Sequence, residues 1–107
     1  LKNKIYAGIS AGSMVCCPSI SLAESKKLYY PELNDKYEDE SALGLVKFLV
    51  KVHLNSDYFP NVNVENLAKI AKDIKKPIYA IDDESALKVV DGKVEIISEG
   101  KHAEFNL

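Results

Sequence analysis

The stretch Lys4-Ile5-Tyr6-Ala7-Gly8-Ile9-Ser10-Ala11-Gly12-Ser13 decides how the rest of the chain is read. A short apolar run opened by a lysine has the character of a buried strand in a parallel sheet. It ends on small residues that suit a tight turn. Met14, Val15 and Cys17 then follow at spacings that line the first turns of a helix before Pro18 interrupts it. Strand, turn and short helix together frame Gly8-Ile9-Ser10-Ala11-Gly12, a G-x-S-x-G pattern. In a nucleophile elbow the serine occupies a strained turn, and its neighbours must be small because the strand and helix backbones approach closely. The amide of Ala11, at the helix N-terminus, would then face a developing oxyanion. The pattern alone arises by chance in roughly three of a hundred chains of this size. A glycine-rich phosphate-binding turn or a plain structural turn reads the same residues equally well, and only the preceding strand favours the elbow.

Outward from that stretch, Ser19 to Glu40 has little periodicity, with several tyrosines, Pro31 and an acidic run from Asp35 to Glu40, as in a long surface loop with local helix. From Leu43 to Val52 strand character returns, with Val46, Phe48, Val50 and Val52 on one face at period two. His53 ends that strand. Leu54 to Pro60 is turn-like, and Asn63 is placed to cap a helix carrying Leu67, Ile70, Ala71 and Ile74, with Lys75 and Lys76 at its C-terminus. Pro77 to Ile81 is a second apolar strand that delivers Asp82, Asp83 and Glu84 at its end. Ala86–Val90 and Lys93–Ser98 flank Asp91-Gly92, the dipeptide suited to a type I′ hairpin turn, and this hairpin is expected to close the domain. The predicted fold class is α/β, and residues 1–107 read as a single domain without repeats or linkers.

Composition narrows the function classes. A hydrophobic share of 47% with 28% charged residues describes a globular chain with a modest core. Fourteen basic against 16 acidic residues leave a net charge of -2, too weak for phosphate-backbone or polybasic membrane contact. Neither nucleic acid nor membrane is an expected partner, and no apolar run is long enough to span a bilayer. The adjacent Cys16 and Cys17 are poorly placed for a mutual disulfide and form no spaced zinc pattern. Reduced, partly buried thiols and a cytoplasmic address are expected, with no metal and no cofactor. The chain opens on Leu1 rather than Met, which reads as a processed or cut product.

A serine hydroxyl is a poor nucleophile until a base takes its proton, so the elbow requires a histidine at the same sheet edge. The chain has two histidines. His53 follows an apolar strand and would sit at the C-terminal edge where open α/β sheets place their sites, whereas His102 lies beyond the hairpin. The orienting carboxylate would come from Asp82 or Asp83. Neighbouring side chains on an extended segment point opposite ways, so one of them at most faces His53. Glu24 and Asp57 are further candidates, and acids solvated at a loop are the plain alternative.

These residues carry a family resemblance. Tyr6-Ala7-Gly8-Ile9-Ser10-Ala11-Gly12-Ser13, with Pro18 after it, resembles the Ser-Ala-Gly elbow of the peptidase E and cyanophycinase group of serine peptidases, family S51. Leu43-Gly44-Leu45-Val46 leading to Val52-His53-Leu54-Asn55-Ser56 is similar to the segment bearing that family's catalytic histidine. Ile78 to Leu87 resembles the strand and acidic turn that supply its carboxylate, and Val89-Val90-Asp91-Gly92 with Val94-Glu95-Ile96-Ile97 resembles its closing hairpin.

The resemblance implies a C-terminal catalytic half, part of a mostly parallel sheet like that of class I glutamine amidotransferases (flavodoxin-like), ending in a β-hairpin. It also implies cleavage of small peptides without cofactor by a triad of Ser10, His53 and Asp83, with Ala11 in the oxyanion hole. Asp83 stands where the family more commonly has glutamate. Family members often prefer an acidic residue before the scissile bond, and with no arginine in the sequence a cationic pocket would have to use lysine. The family's preceding half contributes a glycine-rich loop with another oxyanion donor, and loss of one such donor can cost on the order of 10²–10³ in turnover. The isolated segment is therefore expected to be impaired, and to pair with that half or with a second copy across an open strand edge. Two rivals share the scaffold: a serine esterase or amidotransferase-like hydrolase, and a non-catalytic binding domain.

Overall fold

The helix Val64–Ile74 (α3) shows how local signals set the elements. Asn63, in extended conformation, accepts a hydrogen bond from the Asn66 amide and caps the first turn, while Lys75 ends the helix in the left-handed region at φ 63°. Leu67 and Ala71 form its buried stripe. The computed structural model of the chain describes residues 4–19, 22–30 and 41–107, and within 22–26 only Ser25 by its side chain. Earlier in the chain stand two helices, Ala11–Met14 (α1) and Leu22–Tyr29 (α2). The strands are Leu49–Lys51 (β1), Ile78–Ile81 (β2), Ser85–Val90 (β3), Lys93–Ser98 (β4) and His102–Phe105 (β5).

The strands form a mixed three-stranded sheet, β1-β2-β5, and a separate two-stranded hairpin, β3-β4. β1 and β2 run parallel with Leu49 opposite Ile78, so their C-terminal ends share one edge. β5 lies antiparallel to β2, with Ala80 opposite Ala103. The hairpin turns on Asp91 and Gly92, both at positive φ (51° and 78°), as a type I′ turn requires. Two apolar clusters hold the sheet in place. One gathers Cys17, Leu49, Val52, Ala71, Ile78 and Ile81, and the other Leu28, Leu54, Val62, Leu67 and Ala80.

Several sequence expectations are corrected. Residues 4–9 are not a buried strand: they pair with no strand among the described residues, and Ile5 and Ile9 are 96% and 89% exposed. The outer edge of β1 offers them no ladder. Its outward amides are taken by side chains, Val50 N–H donating to Cys17 Sγ (3.2 Å) and Val52 N–H to the Tyr29 hydroxyl (2.9 Å). The strand expected over 43–52 shortens to Leu49–Lys51, because Gly44 at φ 65° and the bends that follow it turn the earlier residues away. Both faces of β1 are covered, so Lys51 is buried as well, its Nζ donating to Ser25 Oγ at 3.0 Å. The hairpin does not close the domain. β5 does, and His102 opens that strand. Among the described residues this sheet holds one parallel and one antiparallel pairing. The acidic run Asp35–Glu40, Pro31 and the side chain of Glu24 lie outside the described residues.

Candidate active site

The turn at Ser10 is sharp although the residues before it pair with no strand among the described residues. Ser10 stands at the N-cap position of α1, without a side-chain capping bond, at φ 57° and ψ -119°, outside the regions open to most L-residues. Such a conformation costs about 1–3 kcal/mol and persists only where its surroundings over-determine it. Here they do. A Cβ on Gly8 would lie 2.4 Å from the Gly12 carbonyl oxygen, so only glycine permits the crossing. Ser13 Oγ donates to the Gly8 carbonyl (2.9 Å) and the Tyr6 hydroxyl to the Gly12 carbonyl (2.6 Å), closing the turn from both sides.

The parallel register of β1 and β2 brings the next groups to the same edge. His53 lies two residues beyond β1 and Asp83 two beyond β2. His53 Nε2 is 2.9 Å from Ser10 Oγ, and His53 Nδ1 is 2.6 Å from Asp83 Oδ1. With Nδ1 carrying the proton toward Asp83, Nε2 is left as the acceptor facing the serine hydroxyl. The His53 side chain is 24% exposed and that of Asp83 60% exposed, so the contact lies at the surface.

The neighbouring carboxylate has a different task. Asp82 Oδ1 accepts from the Glu84 amide (3.0 Å) and Ser85 Oγ (2.6 Å), while Oδ2 accepts from the Lys101 amide (2.5 Å). Burial pushes its carboxyl up, but these donors and the nearby His102 outweigh that and hold it below the ordinary aspartate range. The alternation along the chain thus divides the pair, Asp82 tying the hairpin base to β5 and Asp83 facing the imidazole. Asp57 lies exposed in the turn after His53, and His102 lies at the start of β5.

Two aromatic residues at the site escaped the sequence reading. Phe59 stacks on the His53 ring with centroids 4.8 Å apart and planes at 25°. Tyr29 meets Phe59 edge-on at 5.6 Å, and its hydroxyl both donates to the Val52 carbonyl (2.8 Å) and accepts from the Val52 amide (2.9 Å). Burial raises the Tyr29 phenol above its usual range, against the opposing Val52 contact, so it stays protonated and able to donate. The one available signal was the aromatic pair Tyr58-Phe59 inside an otherwise polar turn. Both cysteines are free, and burial above all pushes the Cys17 thiol up to about 12, which keeps it unreactive. Among the described residues no group of three or more His, Cys, Asp and Glu converges as a metal site, and no helix is long and apolar enough to cross a membrane.

Comparison with known proteins gives a consistent set of similarities. The family model for peptidase family S51 matches residues 1–97. The uncharacterized peptidase Lin0382 of Listeria innocua serovar 6a is 27% identical over 100 residues, a match covering 87% of this chain and 47% of that protein. The 1.5 Å crystal structure of a peptidase E protein from Listeria monocytogenes EGD-e superposes with a TM-score of 0.66 at 25% identity, covering 92% of this chain and 45% of that one. The chain therefore spans about half the length of the relatives it matches.

Proposed function

The chain belongs to peptidase family S51, and from that premise we propose that it hydrolyses peptide bonds in small peptides through a serine mechanism carried by Ser10, His53 and Asp83. One observation carries the reading: the unbroken contact chain from Ser10 Oγ to His53 Nε2 (2.9 Å) and from His53 Nδ1 to Asp83 Oδ1 (2.6 Å), at the edge where β1 and β2 end.

In this mechanism His53 Nε2 takes the Ser10 proton as Oγ attacks the scissile carbonyl, forming the O–C bond of a tetrahedral intermediate. Asp83 holds the imidazole in the productive tautomer and stabilises the imidazolium. The oxyanion forms beside the Ala11 amide, the first of α1, which has no backbone acceptor among the described residues. His53 then returns the proton to the leaving amine, whose C–N bond breaks, and a water repeats the sequence to free Ser10. A second oxyanion donor belongs, by the family resemblance, to the half of the relatives that this chain does not span. Residues 1–107 alone are accordingly expected to turn over peptides on the order of 10²–10³-fold more slowly than with that donor supplied.

The test is dipeptide hydrolysis together with labelling of Ser10 by a fluorophosphonate, located by peptide mapping. Ser10→Ala and His53→Ala should each remove hydrolysis by on the order of 10⁴-fold or more without unfolding the chain. Labelling should occur at Ser10 and nowhere else. A folded protein whose Ser10 resists the reagent, or variants with the parent's activity, would return the elbow to a structural turn.

A further inference from the structure

Resting on the reading of Ser10, His53 and Asp83 as one catalytic unit, we infer that Phe59 is a positioning residue whose ring sets the plane in which the His53 imidazole meets both partners. The torsion that turns a histidine ring about its Cβ–Cγ bond is broad and roughly two-fold, so the torsion itself does not choose the productive orientation. A tilted ring would aim Nε2 and Nδ1 away from Ser10 and Asp83, and a flat wall on one face opposes that tilt; a half-turn keeps the ring in its plane and is opposed by the two hydrogen bonds instead.

The two in-plane hydrogen bonds define the right orientation but are open to competition. Ser10 is exposed and the Asp83 side chain is 60% exposed, so water can replace either partner at little cost. A stacked aromatic face is not replaced in that way. Phe59 covers one face of the imidazole at 4.8 Å and 25°, where rotation of the ring out of plane would meet carbon.

Phe59 can serve as a wall because it is itself held. Tyr29 and Tyr30 meet its ring edge-on, at 5.6 Å with planes 78° apart and at 6.1 Å with planes 87° apart. Its amide donates to the Ser56 carbonyl (3.2 Å) and its carbonyl accepts from the Val62 amide (3.0 Å). Val62 is fully buried, and Phe59 packs against the cluster of Leu28, Leu54, Val62, Leu67 and Ala80. The same Tyr29 grips the backbone of Val52, directly before His53, through both its amide and its carbonyl. The imidazole is therefore referenced to the core through its face and through its backbone at once.

The experiment compares Phe59→Leu, which keeps apolar bulk but removes the flat ring, with Phe59→Tyr, which keeps the ring. The first readout is the rate of Ser10 phosphonylation by a fluorophosphonate: the Oγ–P bond forms, the P–F bond breaks, fluoride leaves and His53 takes the hydroxyl proton. Phe59→Leu should slow this about tenfold, the scale of one aromatic contact, and Phe59→Tyr should restore it to within about twofold. The second readout is NMR of the His53 ring. In the unsubstituted protein its carbon-bound protons should be shifted upfield by the Phe59 ring current, and its Nδ1 proton should give a slowly exchanging downfield resonance that Phe59→Leu loses. A reactive Ser10 with equal rates in the parent and Phe59→Leu overturns the positioning role alone. An unreactive Ser10 in the parent overturns the catalytic reading and the positioning role with it. Should Phe59→Leu not fold, absence of the ring-current shift in the parent is sufficient to overturn the inference.

Discussion

Two adjacent acids, Asp82 and Asp83, differ more in what they do than their identity suggests. Asp83 serves the imidazole, so Asp83→Asn should lower Ser10 reactivity by on the order of 10²–10⁴-fold while leaving the melting temperature nearly unchanged. Asp82 serves the fold. Its folded-state pKa lies below its unfolded value, so it contributes stability above the unfolded pKa of about 3.9 and loses it as pH falls through the lower folded value. Thermal denaturation at pH 7 and pH 3 should therefore show a smaller difference in Asp82→Asn than in the parent. Ser10 itself stores strain at φ 57°, which glycine would relieve. Ser10→Gly is expected to stabilise the chain by about 1 kcal/mol relative to Ser10→Ala, measured by urea unfolding, with neither variant labelled. Read in sequence, Ser10, His53 and the Asp82-Asp83 pair stood out because each follows an apolar run, while the residues themselves left the choice between the two acids open. Phe59 did not, since a residue six positions after His53 in a turn announces nothing about which ring it will cover.

At the scale of elements, the best-signalled pieces are those whose ends are set locally. Asn63 caps α3 and Asp91-Gly92 sets the hairpin, both through preferences of a few neighbouring residues. Asn63→Ala should cost about 1 kcal/mol in urea unfolding. Gly92→Ala, forced to φ 78°, should cost about 1–2 kcal/mol and weaken the hairpin first, because an isolated two-stranded sheet is marginal and this one keeps Val90 and Ile97 largely exposed. The poorly signalled pieces are those decided by pairing. His102–Phe105 is a short segment with polar residues at alternate positions, and it becomes β5 because β2 presents an open edge to it. Asn106 then fastens the end, its Nδ2 donating to the carbonyls of Ala71 (2.9 Å) and Lys76 (3.1 Å) at the C-terminus of α3.

Across the whole molecule the contrast lies between a covered sheet and an uncovered approach to the Ser10 turn. Leu49, Val50 and Lys51 are all buried, and Ile78, Ala80 and Ile81 with them, whereas Ile5 and Ile9 face solvent beside the Ser10 turn. Amide hydrogen exchange should register this directly. The β1 and β2 amides should exchange only through global unfolding, while those of residues 5–8 should exchange on the timescale of unstructured peptide. Protection of residues 5–8 comparable to β2 would mean that a strand pairs with them in solution.

By itself the sequence determined the local grammar of this protein: a glycine-framed serine at a turn, a capped helix, a type I′ hairpin, and a histidine and two acids at the ends of apolar runs. Each follows from backbone sterics or the hydrogen-bonding needs of a few consecutive residues. Only the tertiary structure decided the rest. It left residues 4–9 without a strand partner among the described residues, with Cys17 and Tyr29 on the outward amides of β1 and Val52, and it made the C-terminal segment a strand because β2 had an edge to fill. It gave Asp83 rather than Asp82 to His53 through the register of two parallel strands. Those outcomes depend on which distant groups compete for the same hydrogen bonds, and that competition exists only once the chain has closed on itself.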